Sequence, residues 1–94
     1  MNFTKPDNID ERIWNLFLAI VTRTLHDITS CKEIKGLQGY NFAESKSFFR
    51  KRRGLDIWLS IIGVRGDDKN WNTVRFKGHQ MAVKKEKELL RVKA

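Results

Sequence analysis

The sequence predicts an α+β domain, in which a small antiparallel sheet has helices packed on one face and a long helix comes first. Three patterns predict this class: helical spacing of apolar residues over 9–27, alternation with a period of two over 55–62, and a second helical pattern over 79–92. Because chains of 94 residues bury only about 60 % of the surface that the unfolded chain exposes, one small core is expected. We therefore expect a single basic α+β domain over residues 1–94.

The first helix is predicted over residues 9–27. Its apolar side chains recur at helical spacing, at Ile9, Ile13, Phe17 and Ile20. Asp10, next to Glu11, places negative charge in the first turn, where the helix dipole favours it. Further apolar residues widen the stripe, namely Trp14, Leu16, Val21, Leu25 and Ile28. The helix is therefore expected to bury one broad face.

The middle of the chain supplies the predicted sheet. Residues 33–40, with two glycines, are consistent with a strand that contains a bulge, and residues 41–47 are polar and typical of a turn. In Leu55–Ile62, alternate residues are apolar and share one strand face. Trp58 lies on the other face, where it either packs in the core or presents its indole to a ligand.

The C-terminal third is predicted to be a turn followed by a helix. Residues 65–70 are typical of a turn, and residues 71–76 are either another strand or the lead-in to a helix. Trp71 has Asn70 and Asn72 as neighbours, which indicates an exposed aromatic ring. Residues 79–92 form the closing helix, with a basic exposed side.

The charge of the chain indicates an anionic partner. The chain has 19 Lys and Arg residues and 11 Asp and Glu residues, which gives a net charge of +8. A charge of this size concentrates polyanions such as RNA and DNA, and anionic membrane surfaces attract it too. No apolar run approaches the roughly 18 residues of a membrane span. Cys31 is the single cysteine, so no internal disulfide forms, and we expect a cytoplasmic protein, with the nucleus as the alternative.

The strongest functional pattern is the basic cluster from Lys46 to Arg53. Five cationic side chains surround two phenylalanines, a combination suited to contacts with phosphates and stacking on bases. The predicted nucleic-acid-binding residues are Lys46, Phe48, Phe49, Arg50, Lys51, Arg52, Arg53 and Trp58. The alternatives are a solvated loop whose phenylalanines enter the core, and a nuclear-import tetrapeptide at residues 50–53.

No pattern of catalytic or metal-binding residues accompanies this cluster. The chain has neither a glycine-rich phosphate loop nor a serine nucleophile elbow, and one cysteine with two distant histidines does not match a structural zinc site. We therefore predict no enzyme activity, no cofactor and no metal. An alternative uses His26 and His79 as the acid and base of a metal-free ribonuclease, because imidazole titrates near neutral pH.

Several short motifs resemble a known family. They are DERIW at residues 10–14, LAI at 18–20, Glu33-Ile34 with Gly36, and LDIW at 55–58, with a weaker continuation through Val74, Phe76, Gly78, Gln80 and Met81. Their order is similar to the C-terminal half of the eukaryotic cap-binding translation initiation factor 4E family. The resemblance implies a curved antiparallel sheet with the mRNA cap on its concave side and partner peptides on the helical side.

The resemblance also implies positions for a ligand. Trp58 is expected near the methylated base, and Arg50, Arg52 and Arg53 near the cap phosphates. The family's two cap-stacking tryptophans and its base-fixing glutamate belong to an N-terminal half that has no counterpart in this sequence.

Three functions follow from the sequence. The first is a non-catalytic RNA-binding module, linked to translation and with the mRNA cap as a candidate ligand. The second is a small basic interaction or inhibitor protein that docks on an acidic protein surface. The third is the histidine ribonuclease. Neither the oligomeric state nor a preference for an RNA sequence follows from these patterns.

Overall fold

A computed structural model describes residues 5–6, 9–65 and 68–92 of the chain. It contains four helices, which are α1 (Glu11–Ser30), α2 (Gly36–Phe48), α3 (Gly54–Ile62) and α4 (Lys69–Val92). Since no strand occurs in these ranges, the predicted α+β class with its antiparallel sheet is wrong, and the described fold is all-helical. Residues 66 and 67 of the predicted turn lie outside the described residues.

Helix α1 confirms the predicted first helix, although it ends at Ser30 rather than near residue 27. Asp10 caps it, because its carboxylate accepts a hydrogen bond of 2.7 Å from the backbone N–H of Arg12. The buried face is formed by Trp14, Phe17, Val21 and Ile28, which recur at helical spacing. Leu16, which was predicted to widen this face, points away from it and is exposed.

Helix α3 occupies the segment that was predicted to be the clearest strand. The buried side chains are Leu55, Leu59 and Ile62, at helical spacing, whereas Ile57 and Ile61 are exposed. Most residues of this segment are apolar, so the sequence fits the period of two of a strand as well as the period of 3.6 of a helix. A Schellman motif ends the helix: Gly63 has a φ of 83°, its N–H donates to the Ser60 carbonyl, and the N–H of Val64 donates to the Leu59 carbonyl at 2.9 Å.

Helices α2 and α4 replace the other predicted strands. The expected bulged strand at 33–40 and the turn at 41–47 lie largely within α2, which begins at Gly36. Residues 71–76 belong to α4, which contains the predicted closing helix but begins ten residues earlier, at Lys69. The Asp68 carboxylate accepts a 3.0 Å hydrogen bond from the N–H of Trp71, as expected of a helix N-cap.

An aromatic cluster forms the centre of the core. The Phe17 ring lies 5.0 Å from Trp71, 5.8 Å from Trp14 and 5.9 Å from Trp58, measured between ring centroids. Trp71 is only 4 % exposed, so the prediction of an exposed ring at this position is wrong. Through this cluster α1 packs against both α3 and α4, and it also packs against α2.

Candidate nucleic-acid interface

Residues 49–53 of the basic cluster form the loop between α2 and α3, whereas residues 46–48 belong to the end of α2. Phe49 fixes the loop to α4, because its buried ring lies against Gly78, where an added Cβ would be 2.6 Å from a ring carbon. The four cationic residues that follow, Arg50–Arg53, are exposed. The loop therefore presents its charges to solvent while an aromatic anchor holds its first residue.

Arg52 has a left-handed backbone, with a φ of 62°. This conformation costs an L-residue other than glycine roughly 1 kcal/mol. The backbone N–H of Arg52 donates a 2.7 Å hydrogen bond to Asp56, which holds the conformation in place. A cation thus stands where glycine would be less strained, and such strain is typical of functional sites.

Asp56 connects this loop to α4. Its second carboxylate oxygen accepts a hydrogen bond of 2.8 Å from Nε of Arg75, and the two side chains are only 21 % and 16 % exposed. The carboxylate therefore fixes both a loop residue and a guanidinium group of α4. Because Nε of Arg75 is engaged, the guanidinium is held in one orientation.

Two adjoining cavities, of about 690 Å³ and 580 Å³, lie between the loop and α4, and α3 also lines the larger one. They share Lys51, Asn72 and Arg75 as lining residues. We call the two cavities together the basic groove. Its loop side is formed by residues 50–53, and its α4 side by Asn72, Arg75, Phe76 and His79.

The groove is strongly cationic. Five positive side chains line it, those of Arg50, Lys51, Arg52, Arg53 and Arg75, against one carboxylate, that of Asp56. In the described ranges only Arg75 among these five has an ion-pair partner. A concave surface lined by one sign of charge focuses the electrostatic field and attracts anions.

The predicted site residues separate into two groups. Arg50, Lys51, Arg52 and Arg53 all line the groove. Lys46 instead pairs with Glu86 at 3.2 Å. The three predicted aromatic residues pack internally: Phe49 borders the groove but is only 1 % exposed, Phe48 lies half-buried against Gly54, and Trp58 is half-buried against Phe17. Their rings hold the fold, so the predicted use of Phe49 for stacking does not fit its burial.

The sequence predicted no binding role for Asn72 or Arg75, and it named His79 only as a candidate ribonuclease residue. Asn72, Arg75, Phe76 and His79 follow one another at helical spacing and share one face of α4. Phe76 is 63 % exposed, which makes it the open aromatic ring of the groove. These residues form a polar and aromatic stripe, but the stripe is recognisable only when residues 71–76 are treated as part of a helix.

The two histidines do not share the groove. His79 lines it, and its buried Nδ1 has no hydrogen-bond partner among the described residues, whereas His26 is exposed on α1, 3.9 Å from Asp27. Within the described ranges no group of three or more His, Cys, Asp or Glu side chains could hold a metal. No helix in the same ranges is long and apolar enough to cross a membrane.

Comparisons with known proteins give no relative from which a function could be transferred. No protein-family model, curated protein or solved structure matches this chain. The function is therefore inferred from the basic groove.

Replacement of Asp56 by alanine is expected to lower the free energy of unfolding by about 2–3 kcal/mol, because Arg75 would keep a largely buried charge without its partner. Urea unfolding followed by circular dichroism measures this. The matched control is Asp27→Ala, whose partner Arg23 has a side chain that is 77 % exposed. That change should cost less than about 1 kcal/mol. Equal losses in the two variants would contradict a structural role for Asp56.

Proposed function

We propose that this protein binds RNA without catalysis, with the basic groove as its binding surface. The observation that carries the proposal is the grouping of the four loop cations with Arg75 around one concave surface. Arginine suits this role because its planar guanidinium group can clamp a phosphate through two parallel hydrogen bonds. The strained backbone of Arg52 supports a functional reading of the loop.

A salt titration tests the proposal. Fluorescence anisotropy of a labelled RNA oligonucleotide gives the association constant between about 50 and 200 mM salt. If four or five phosphates are neutralised, a plot of log K against log salt should fall with a slope of about −3 for a single strand. No binding at the lowest salt concentration would sink the proposal.

A preference for the mRNA cap rests on the sequence resemblance alone. The curved sheet expected to hold the cap has no counterpart in the described residues, and Trp58 packs against Phe17 instead of facing a ligand. Binding of capped and uncapped oligonucleotides of the same sequence distinguishes RNA binding with a preference for the cap from RNA binding without it. Tighter binding of the capped RNA would support a link to translation initiation, whereas equal binding would leave RNA binding without the cap.

A protein partner with an acidic surface is the second candidate. The cations of the basic groove support it, because they complement an acidic surface as well as they complement phosphates. Competition separates the candidates: polyglutamate should displace the labelled RNA poorly if the groove is built for nucleic acid. A protein partner that remains bound after nuclease treatment, and that competes with RNA for the groove, would favour the second candidate.

The ribonuclease alternative fits the arrangement less well, since only one of its two histidines lines the groove. We therefore propose that RNA incubated with the protein stays intact. Cleavage that is lost in both His26→Ala and His79→Ala variants, with folding preserved, would reverse this conclusion.

We place the protein in a compartment that contains RNA, which means the cytoplasm or, given the Arg50–Arg53 tetrapeptide, the nucleus.

A further inference from the structure

One of the two cavities of the basic groove has an aromatic wall. This cavity, of about 580 Å³, is lined by Phe76 and His79 of α4 together with Arg50 and Arg53 of the loop. Its volume lies in the range of roughly 300–1,000 Å³ that is common for small-ligand pockets. Because the Phe76 side chain is 63 % exposed, its ring is accessible for contact with a flat partner.

Polar groups stand beside this ring. Asn72 precedes Phe76 by four residues and His79 follows it by three, so both lie on the same face of α4. Both side chains are half-buried and line the cavity. An amide and an imidazole can donate and accept hydrogen bonds at the edge of a base, while the ring contacts its face.

The cations are arranged for a strand that continues beyond this cavity. Lys51 and Arg75 line both cavities of the groove, at the boundary between them. A strand that crosses the boundary would have one nucleotide in each cavity and the linking phosphate beside these two cations. Asp56 holds Arg75 in place for such a contact, through the hydrogen bond of 2.8 Å to Nε.

From this juxtaposition we infer that the groove binds single-stranded RNA, with one unpaired base stacked on Phe76. The inference rests on the RNA binding proposed above and specifies its substrate. In a duplex the base faces are stacked and the Watson–Crick edges are paired, so a duplex offers this cavity phosphates, 2′-hydroxyls and minor-groove edges but no free base face. Stacking on an aromatic side chain tolerates any base, which predicts little dependence on sequence.

Binding of three probes tests the inference: a single-stranded RNA, a duplex RNA of the same length, and inorganic polyphosphate. The wild-type protein should bind the single strand at least about tenfold more tightly than the duplex. Phe76→Ala should lose about tenfold for the single strand and nothing for polyphosphate, and Phe76→Trp should keep the affinity. The matched control is Tyr40→Ala on α2, whose aromatic side chain is 64 % exposed and lies outside the groove.

The outcomes separate this inference from the proposed function. Salt-dependent binding that is equal for the single strand and the duplex, and unchanged in Phe76→Ala, would overturn the base pocket and leave the proposed RNA binding standing. An equal loss in the Tyr40→Ala variant would also overturn it, because the ring would then matter only as exposed apolar surface. Failure of all three probes to bind at low salt would remove the proposed function itself.

Discussion

Neutralising the basic loop is expected to lower the affinity for RNA at least about 100-fold. The variant carries Arg50→Gln, Lys51→Gln, Arg52→Gly and Arg53→Gln, so it loses four cations from one side of the groove. Each charge-assisted hydrogen bond to a phosphate contributes roughly 1.5–3 kcal/mol, and partial compensation by the remaining cations sets the lower bound. Glycine at position 52 suits the positive φ, so the fold should not be weakened there.

The C-terminal half of α4 provides the matched control for this experiment. Replacing Lys84, Lys85, Lys87 and Arg91 by glutamine removes the same number of charges, from residues that do not line the groove. If the position of the charges matters, the control variant should lose less than about fivefold in affinity for RNA, since only the long-range electrostatic field of the protein changes. Equal losses in the two variants would show that net charge alone attracts RNA, and the groove would lose its role.

Removal of the central aromatic ring should have the largest effect on the fold. Phe17→Ala is expected to lower the free energy of unfolding by about 3–5 kcal/mol, because the side chain is fully buried between three tryptophan rings. The free energy of unfolding of small domains is only about 5–15 kcal/mol in total, so the variant should be partly unfolded at moderate temperature.

Thermal unfolding followed by circular dichroism measures the loss caused by Phe17→Ala. Leu16→Ala is the control, since this neighbour on α1 is 53 % exposed and should cost less than about 1 kcal/mol. A cost below 1 kcal/mol for Phe17→Ala itself would contradict the described core. That result would mean that the three tryptophans do not meet around this ring.

The sequence predicted α1 and the C-terminal part of α4, but it failed in α2, in α3 and at the start of α4. In α1 the apolar residues lie on one face with polar residues between them, so only one period fits and the prediction is confirmed. In residues 55–62 a period of two fits as well as helical spacing, and the alternation indicated a strand. The Gly-Val pair at 63–64 was the missed stop signal, because it supplies both residues of the Schellman motif.

The binding surface was predicted on its loop side only. The four cations at 50–53 are consecutive in the sequence, so they could be recognised as a binding surface without knowledge of the fold. Arg75 and Phe76 belong to the same groove but lie more than twenty residues further on, and only the packing of α4 brings them to the loop. The phenylalanines of the cluster were assigned to stacking because sequence does not show that Gly78 opens a place for the Phe49 ring.

Backbone amide shifts of the isotope-labelled protein during titration with single-stranded RNA test the central claim most directly. The shifts should concentrate at the loop residues 50–53 and on the α4 face that contains Asn72, Arg75, Phe76 and His79, and they should fade as salt is raised. Shifts concentrated on the exposed face of α1 around Ile13 and Leu16, or no shifts at low salt, would contradict the assignment of the basic groove as the RNA-binding surface.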